Sequence, residues 1–176
     1  MSERRDYTKE EYALMEKYVY QLIDIFSVEM RNQYNCLSSG SGASMPHDIQ
    51  KITVDFILYQ PATIEKAREL EIKATERFVE IINAHEGIRP YLRDYPWDHK
   101  RADVMISFRQ ENGDNYPDGI RLVLQAKDQV VYFGPSQDPS DIDPLKKESY
   151  EEAKALVLFS TSHLDPKKKW WQFWMF

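Results

Sequence analysis

Cys36 and His47 stand on either side of one glycine- and serine-rich stretch. A thiol becomes a nucleophile when a base or cation lowers its pKa, and an imidazole is such a base. No nucleophile motif surrounds Cys36, so the simpler reading is a free thiol at a helix end and a histidine at a loop end. His85, His99, Asp55 and Asp103 are a second set, of the types that do acid–base work in a pocket between a sheet and helices. Asp138, Asp141 and Asp143 crowd one loop, but they lack the D-x-[DN]-x-[DN]-G spacing and the twelfth-place glutamate of a calcium loop. Turn chemistry accounts for Asn112, Asp114, Asn115 and Asp118. The chain has no G-x-x-x-x-G-K-[ST] phosphate loop. No metal, nucleotide or other cofactor is therefore expected, and a single cysteine excludes an intrachain disulfide.

Two groups of residues have the chemistry of recognition. Arg89, Arg93, Lys100 and Arg101 are the densest cationic group before the C-terminal tail, a candidate site for an anion or a partner's carboxylates. Solvated charges around a structural corner are the competing reading. In the tail, Lys167, Lys168 and Lys169 precede Trp170, Trp171, Phe173, Trp174 and Phe176. So much aromatic area must be buried against its own domain, a partner protein or a membrane interface. The lysines suit an acidic surface or anionic lipid.

These residues need elements to hold them. Thr8 with Glu11 fits a capping box, and Met15, Val19, Leu22, Ile23, Phe26 and Met30 recur at helical spacing, which predicts a helix over 8–34. Tyr18, Tyr20 and Ile25 lie off that stripe, either half-exposed or part of a second contact. Residues 35–48 have the composition of a flexible loop. Residues 50–134 predict strand, helix, then antiparallel meander. The strands run over 51–59, 103–110, 119–127 and 129–133, with Lys127-Asp128-Gln129 as a tight turn. The helix, 63–85, packs through Leu70, Phe78 and Ile82, with Gly87 available for a left-handed cap. Tyr91, Leu92, Tyr95 and Trp97 of the linker are expected to plug one end of the sheet. Residues 135–176 supply a proline-rich acidic loop, then a short helix capped by Ser149 and Glu152 with Tyr150, Ala153, Leu156 and Val157 as its stripe, and the aromatic tail. The expected fold is α+β: a long N-terminal helix, a four-stranded antiparallel sheet and a short C-terminal helix.

The 176 residues are most simply one domain, with 42% hydrophobic and 30% charged residues and a net charge of −6. That charge argues against nucleic acid as a partner. Without an apolar leader in Met1 to Glu11 or a run long enough to span a bilayer, the chain is expected in the cytoplasm; export by a signal-independent route stays open.

The order strand, helix, meander over 50–134 resembles the cystatin-like fold, whose sheet curls around one long helix. Gln129 to Gly134, Q-V-V-Y-F-G, is superficially similar to the Q-x-V-x-G loop of cystatins, with the glycine one place late. Protease inhibition is therefore not expected. Ile88 to Pro96, I-R-P-Y-L-R-D-Y-P, resembles segments of small uncharacterised bacterial proteins. The expected function is a non-enzymatic binding or accessory protein that acts on a protein partner or by self-association. The alternatives are an enzyme with a pocket between sheet and helices, and a peripheral membrane protein held by its tail.

Overall fold

A computed structural model describes residues 6–162. The chain forms α1 (Lys9–Tyr34), β1 (Leu37–Ser44), β2 (Lys51–Leu58), α2 (Ile64–Ala84), β3 (Ala102–Phe108), β4 (Leu122–Ala126), β5 (Gln129–Phe133), β6 (Lys146–Ser149) and α3 (Tyr150–Ser162), with short 3-10 turns at Glu86–Tyr91 and His99–Arg101. Among the described residues the sheet has six strands in the order β1-β2-β3-β4-β5-β6. The fold is α+β, but the expected four-stranded antiparallel sheet is corrected in two ways. Strands β1 and β6 extend it, and β2 pairs with β3 in parallel. The parallel pair follows from the crossover: α2 carries the chain from the end of β2 back to the start of β3.

Local chemistry sets the helix ends. Thr8 and Glu11 form the expected capping box, and Asn35, at φ 58°, ends α1 in the left-handed conformation that asparagine tolerates. Thr63 caps α2 through the Lys66 amide, and Ser149 with Glu152 caps α3. The expected left-handed cap at Gly87 does not form. His85 ends α2 in extended conformation, and Gly87 is pressed against the Tyr18 and His85 rings. Strand β4 begins three residues later than expected because Gly119, at φ +86°, brings the chain against the Ala62 carbonyl. A Cβ there would lie 2.5 Å from that oxygen, and the Ile120 amide donates to it.

The three described α-helices lie on one face of the sheet. Ile52, Val54, Phe56 and Leu58 of β2, Ala102, Val104, Ile106 and Phe108 of β3, and Val123 of β4 are buried beneath them. Leu70, Phe78 and Ile82 of α2 are buried as expected. Phe78 stacks on Phe26 of α1 with ring centres 4.4 Å apart, and Phe26 meets Phe56 edge-on at 5.4 Å. Two expected core positions are exposed instead: Tyr95 in the linker and Leu156 in α3. Trp97 does the plugging, clamped where Asn83 donates to its carbonyl and accepts from its amide.

Candidate functional site

The strands alternate, so half their side chains point away from the helices. On that second face Leu37, Ile57, Ser107, Leu122 and Phe133 form a row across β1 to β5. Leu145, exposed just before β6, packs against Gly134 and lengthens this row. Gly40, Asp55, Met105, Leu124, Val131 and Lys147 form the next row, and Gly42, Thr53 and Asp103 a third. Ile57, Met105, Leu122, Leu124 and Phe133 are only half-buried. No described α-helix covers them. A one-sided antiparallel sheet ordinarily turns polar residues outward. This one turns out contiguous, half-buried apolar side chains on β3, β4 and β5.

The β2 end of the same face is acidic. Asp55 lies over Gly40, where a Cβ would sit 3.1 Å from its Oδ2. Lys51 Nζ is 2.5 Å from Asp103 Oδ2, while Asp103 Oδ1 is buried with no hydrogen-bond partner. Burial raises the pKa of both carboxyls; the charge of Asp103 raises Asp55 further, whereas Lys51 partly offsets the effect on Asp103. A further cation beside Asp55 and the unpartnered Asp103 Oδ1 would favour the ionised form of both carboxyls. The arrangement can hold a cationic group beside an apolar surface.

Beneath α2 lies a polar group that sequence reasoning missed. Glu71 is fully buried, and no well-formed hydrogen bond reaches either carboxyl oxygen, the Gln125 backbone amide being its one weak support; Thr75 Oγ1 and Gln125 Oε1 have no partner. Burial, helped by Asp103, pushes the Glu71 pKa well above its ordinary 4.5, and the Gln125 backbone opposes this only in part. Glu71 therefore holds its proton to higher pH in the folded chain than in the unfolded one. The stability this confers is full below the ordinary pKa and is lost as pH rises through the raised one. Glu71→Leu should raise stability at neutral pH by ~1–3 kcal/mol, the usual cost of an unsatisfied buried polar group. Glu71→Gln should flatten the pH dependence above pH 5. Thermal melts from pH 5 to 8 check both, with Asp103→Asn made in each of the three proteins to separate the coupling of Asp103 to Glu71.

The acid–base set does not assemble. His85 accepts from the Ile88 amide and its ring meets Tyr18 edge-on. His99 stacks on Tyr150 with ring centres 4.0 Å apart and pairs with Asp128 at 2.9 Å. Only Asp55 and Asp103 come together. Cys36 is buried, and that burial, aided by the Glu71 charge and opposed by Lys66, pushes its thiol up to about 12. A thiol so shifted is a poor nucleophile.

The cationic group is spread over separate partners. Arg93 reaches Asp48 at 3.6 Å and Lys100 reaches Asp128 at 3.6 Å. Arg101 pairs with Asp94 at 2.5 Å and donates to the Gln50 carbonyl. Arg89 donates to the Asn83 carbonyl and lies 4.8 Å from the centre of the Tyr95 ring. These contacts tie the linker to the start of β2 and to the β4-β5 turn. Residues 135–145, expected as a loop, run without regular structure to β6, and their aspartates cap local turns: Asp138 accepts from Ser140 and Asp141 from the Asp143 amide. Among the described residues no cluster of three or more His, Cys, Asp or Glu is placed to hold a metal. No described helix is long and apolar enough to cross a membrane. The eight tail residues singled out, Lys167, Lys168, Lys169, Trp170, Trp171, Phe173, Trp174 and Phe176, lie outside the described residues.

Compared with family models, curated proteins and solved structures, the chain has no significant match.

Proposed function

We propose that this protein is a non-enzymatic binding module that engages a protein partner through the helix-free face of its sheet. The observation that carries the reading is the contiguous apolar surface of Ile57, Met105, Leu122, Leu124 and Phe133 with Asp55 and Asp103 at its β2 end. The partner this chemistry fits presents an apolar patch flanked by a lysine or arginine. The chain's net charge of −6 steers such a partner toward it. An acid–base reading is less well supported, since the histidines and carboxylates that would share it stand apart.

Leu124→Lys tests the reading. The substitution places a charge at the centre of the patch, and the long aliphatic stem of lysine fits a half-buried position without unfolding the sheet. Tagged wild-type and variant proteins are used to recover partners from the native cell, followed by cross-linking through Lys51 and Lys147, the lysines of that face. Recovery should fall ~10-fold or more in Leu124→Lys, as for a central interface position. In the wild type, cross-links should join Lys51 or Lys147 to the partner. Equal recovery of a partner by both proteins would overturn the proposal.

A further inference from the structure

The tail and the uncovered face fit each other. The face offers apolar side chains on β4 and β5, among them Leu122, Leu124 and Phe133, and ends at β6, the strand that leads directly into α3. Fourteen residues follow Ser162, and they carry three of the chain's four tryptophans. Fully extended, that length reaches ~46–50 Å. α3, packed over β5 and β6, is about 20 Å long, and a helix layer is about 10 Å thick. Even from the far end of α3, a tail that returns past β6 has about 15 Å left. Strands lie about 4.8 Å apart, so the last residues can reach β5 and β4.

Charge points the same way. Lys167, Lys168 and Lys169 precede the aromatic residues, whereas the loop leading into β6 carries Asp138, Asp141 and Asp143. Asp138 and Asp143 are exposed, and so is Ile142 between them. A second copy of the chain would instead bring together two chains that each carry a net charge of −6.

We infer that the end of the C-terminal tail docks on the helix-free face of its own sheet, Phe173, Trp174 and Phe176 against β4 and β5, with Lys167, Lys168 and Lys169 beside the acidic loop on the way. This rests on the reading of that face as a docking surface and adds its resident occupant: a partner gains the face by displacing the tail.

Tryptophan quenching by acrylamide in the full-length protein tests this. Trp97 is 1% exposed and serves as the shielded reference. In the wild type Trp174 should be shielded nearly as well, while Trp170 and Trp171, earlier in the tail, should be quenched more readily. Leu124→Lys should add Trp174 to the readily quenched fraction, with the far-ultraviolet circular dichroism unchanged. A second variant, Phe133→Ser, should do the same. Carbodiimide should link Lys167, Lys168 or Lys169 to Asp138, Asp141 or Asp143 within one chain, as read from a mixture of isotopically light and heavy protein. Quenching equally strong in the wild type and both variants would overturn the inference, and so would links formed only between chains, which would assign the face to a second copy. If quenching is unaffected while Leu124→Lys still loses its partner, the tail inference falls and the binding reading stands.

Discussion

Glu148→Leu alone should cost ~3–5 kcal/mol, measured by denaturant unfolding, because it strands a buried guanidinium. Arg68 Nε donates to Glu148 Oε1 at 2.5 Å and Nη2 donates to Oε2 at 3.1 Å, a two-pronged pair between α2 and β6. The Tyr132 hydroxyl adds a third bond to Oε1 at 2.5 Å. Arg68 and Glu148 are 8% and 9% exposed, so neither charge can be rescued by water once its partner is gone. Burial pushes the Glu148 carboxyl up, but the bonds from Arg68 and Tyr132 outweigh it and hold the pKa below the ordinary 4.5. This stability is present above that ordinary value and is lost as pH falls through the depressed one, the opposite sign to Glu71. The double variant Arg68→Met with Glu148→Leu should regain most of the loss or exceed the wild type, because desolvation of the ions disappears along with their attraction. A single variant that costs less than ~1 kcal/mol would show that water reaches the pair.

Phe78→Ala should be of similar size, ~3–5 kcal/mol, for a different reason. The ring is fully buried where α1, α2 and the sheet meet, stacked on Phe26, which in turn meets Phe56. Its removal loses apolar burial and leaves a cavity whose walls belong to three elements and cannot close together. Phe26→Ala made in the same background should add less than it does alone, since the two rings share one contact. The outward-facing Leu124 provides the contrast. Leu124→Lys should lower the unfolding midpoint far less than Phe78→Ala, by no more than release of the tail costs, while cutting partner recovery ~10-fold or more. If Phe78→Ala and Leu124→Lys destabilised the fold equally, the division of the sheet into a core face and a docking face would be wrong.

The long amphipathic elements were legible because their periodicity is driven by burial against one layer. α1 matches its expected span of 8–34 to within one residue, and β2, β3 and β5 match within a few residues. The two edge strands were not legible. Leu37–Ser44 reads L-S-S-G-S-G-A-S and most of its residues are exposed, so burial imposes no alternation on it. Lys146–Ser149 is four residues long and charged. Both compositions suit edges that must not recruit further strands, and both look like loops in one dimension. The parallel pairing of β2 with β3 was missed because parallel strands are ordinarily buried on both faces and read as continuous apolar runs. Here one face lacks helices, so both strands alternate like an antiparallel meander.

The same feature explains what was missed of the site. Met105, Leu122 and Leu124 occupied the outward phase of strands whose inward phase was also apolar. Along the sequence they counted as strand formers, and only the register set them side by side. Asp55 and Asp103 were singled out for acid–base chemistry and are neighbours, but the histidines meant to join them belong to a helix end and a linker. Glu71 gave no signal, since glutamate on an amphipathic helix ordinarily faces water.

The central claim is that the helix-free face is covered when the protein works. Met105 lies in the middle of that face, half-buried, with a thioether that hydroxyl radicals oxidise wherever solvent reaches it. The most direct measurement is the oxidation rate of Met105 inside the native cell, in wild-type and Leu124→Lys proteins, normalised to the fully buried Met15. The account predicts slow oxidation in the wild type and severalfold faster oxidation in the variant, whether tail or partner is the cover. Equal, rapid oxidation of Met105 in both proteins would contradict it.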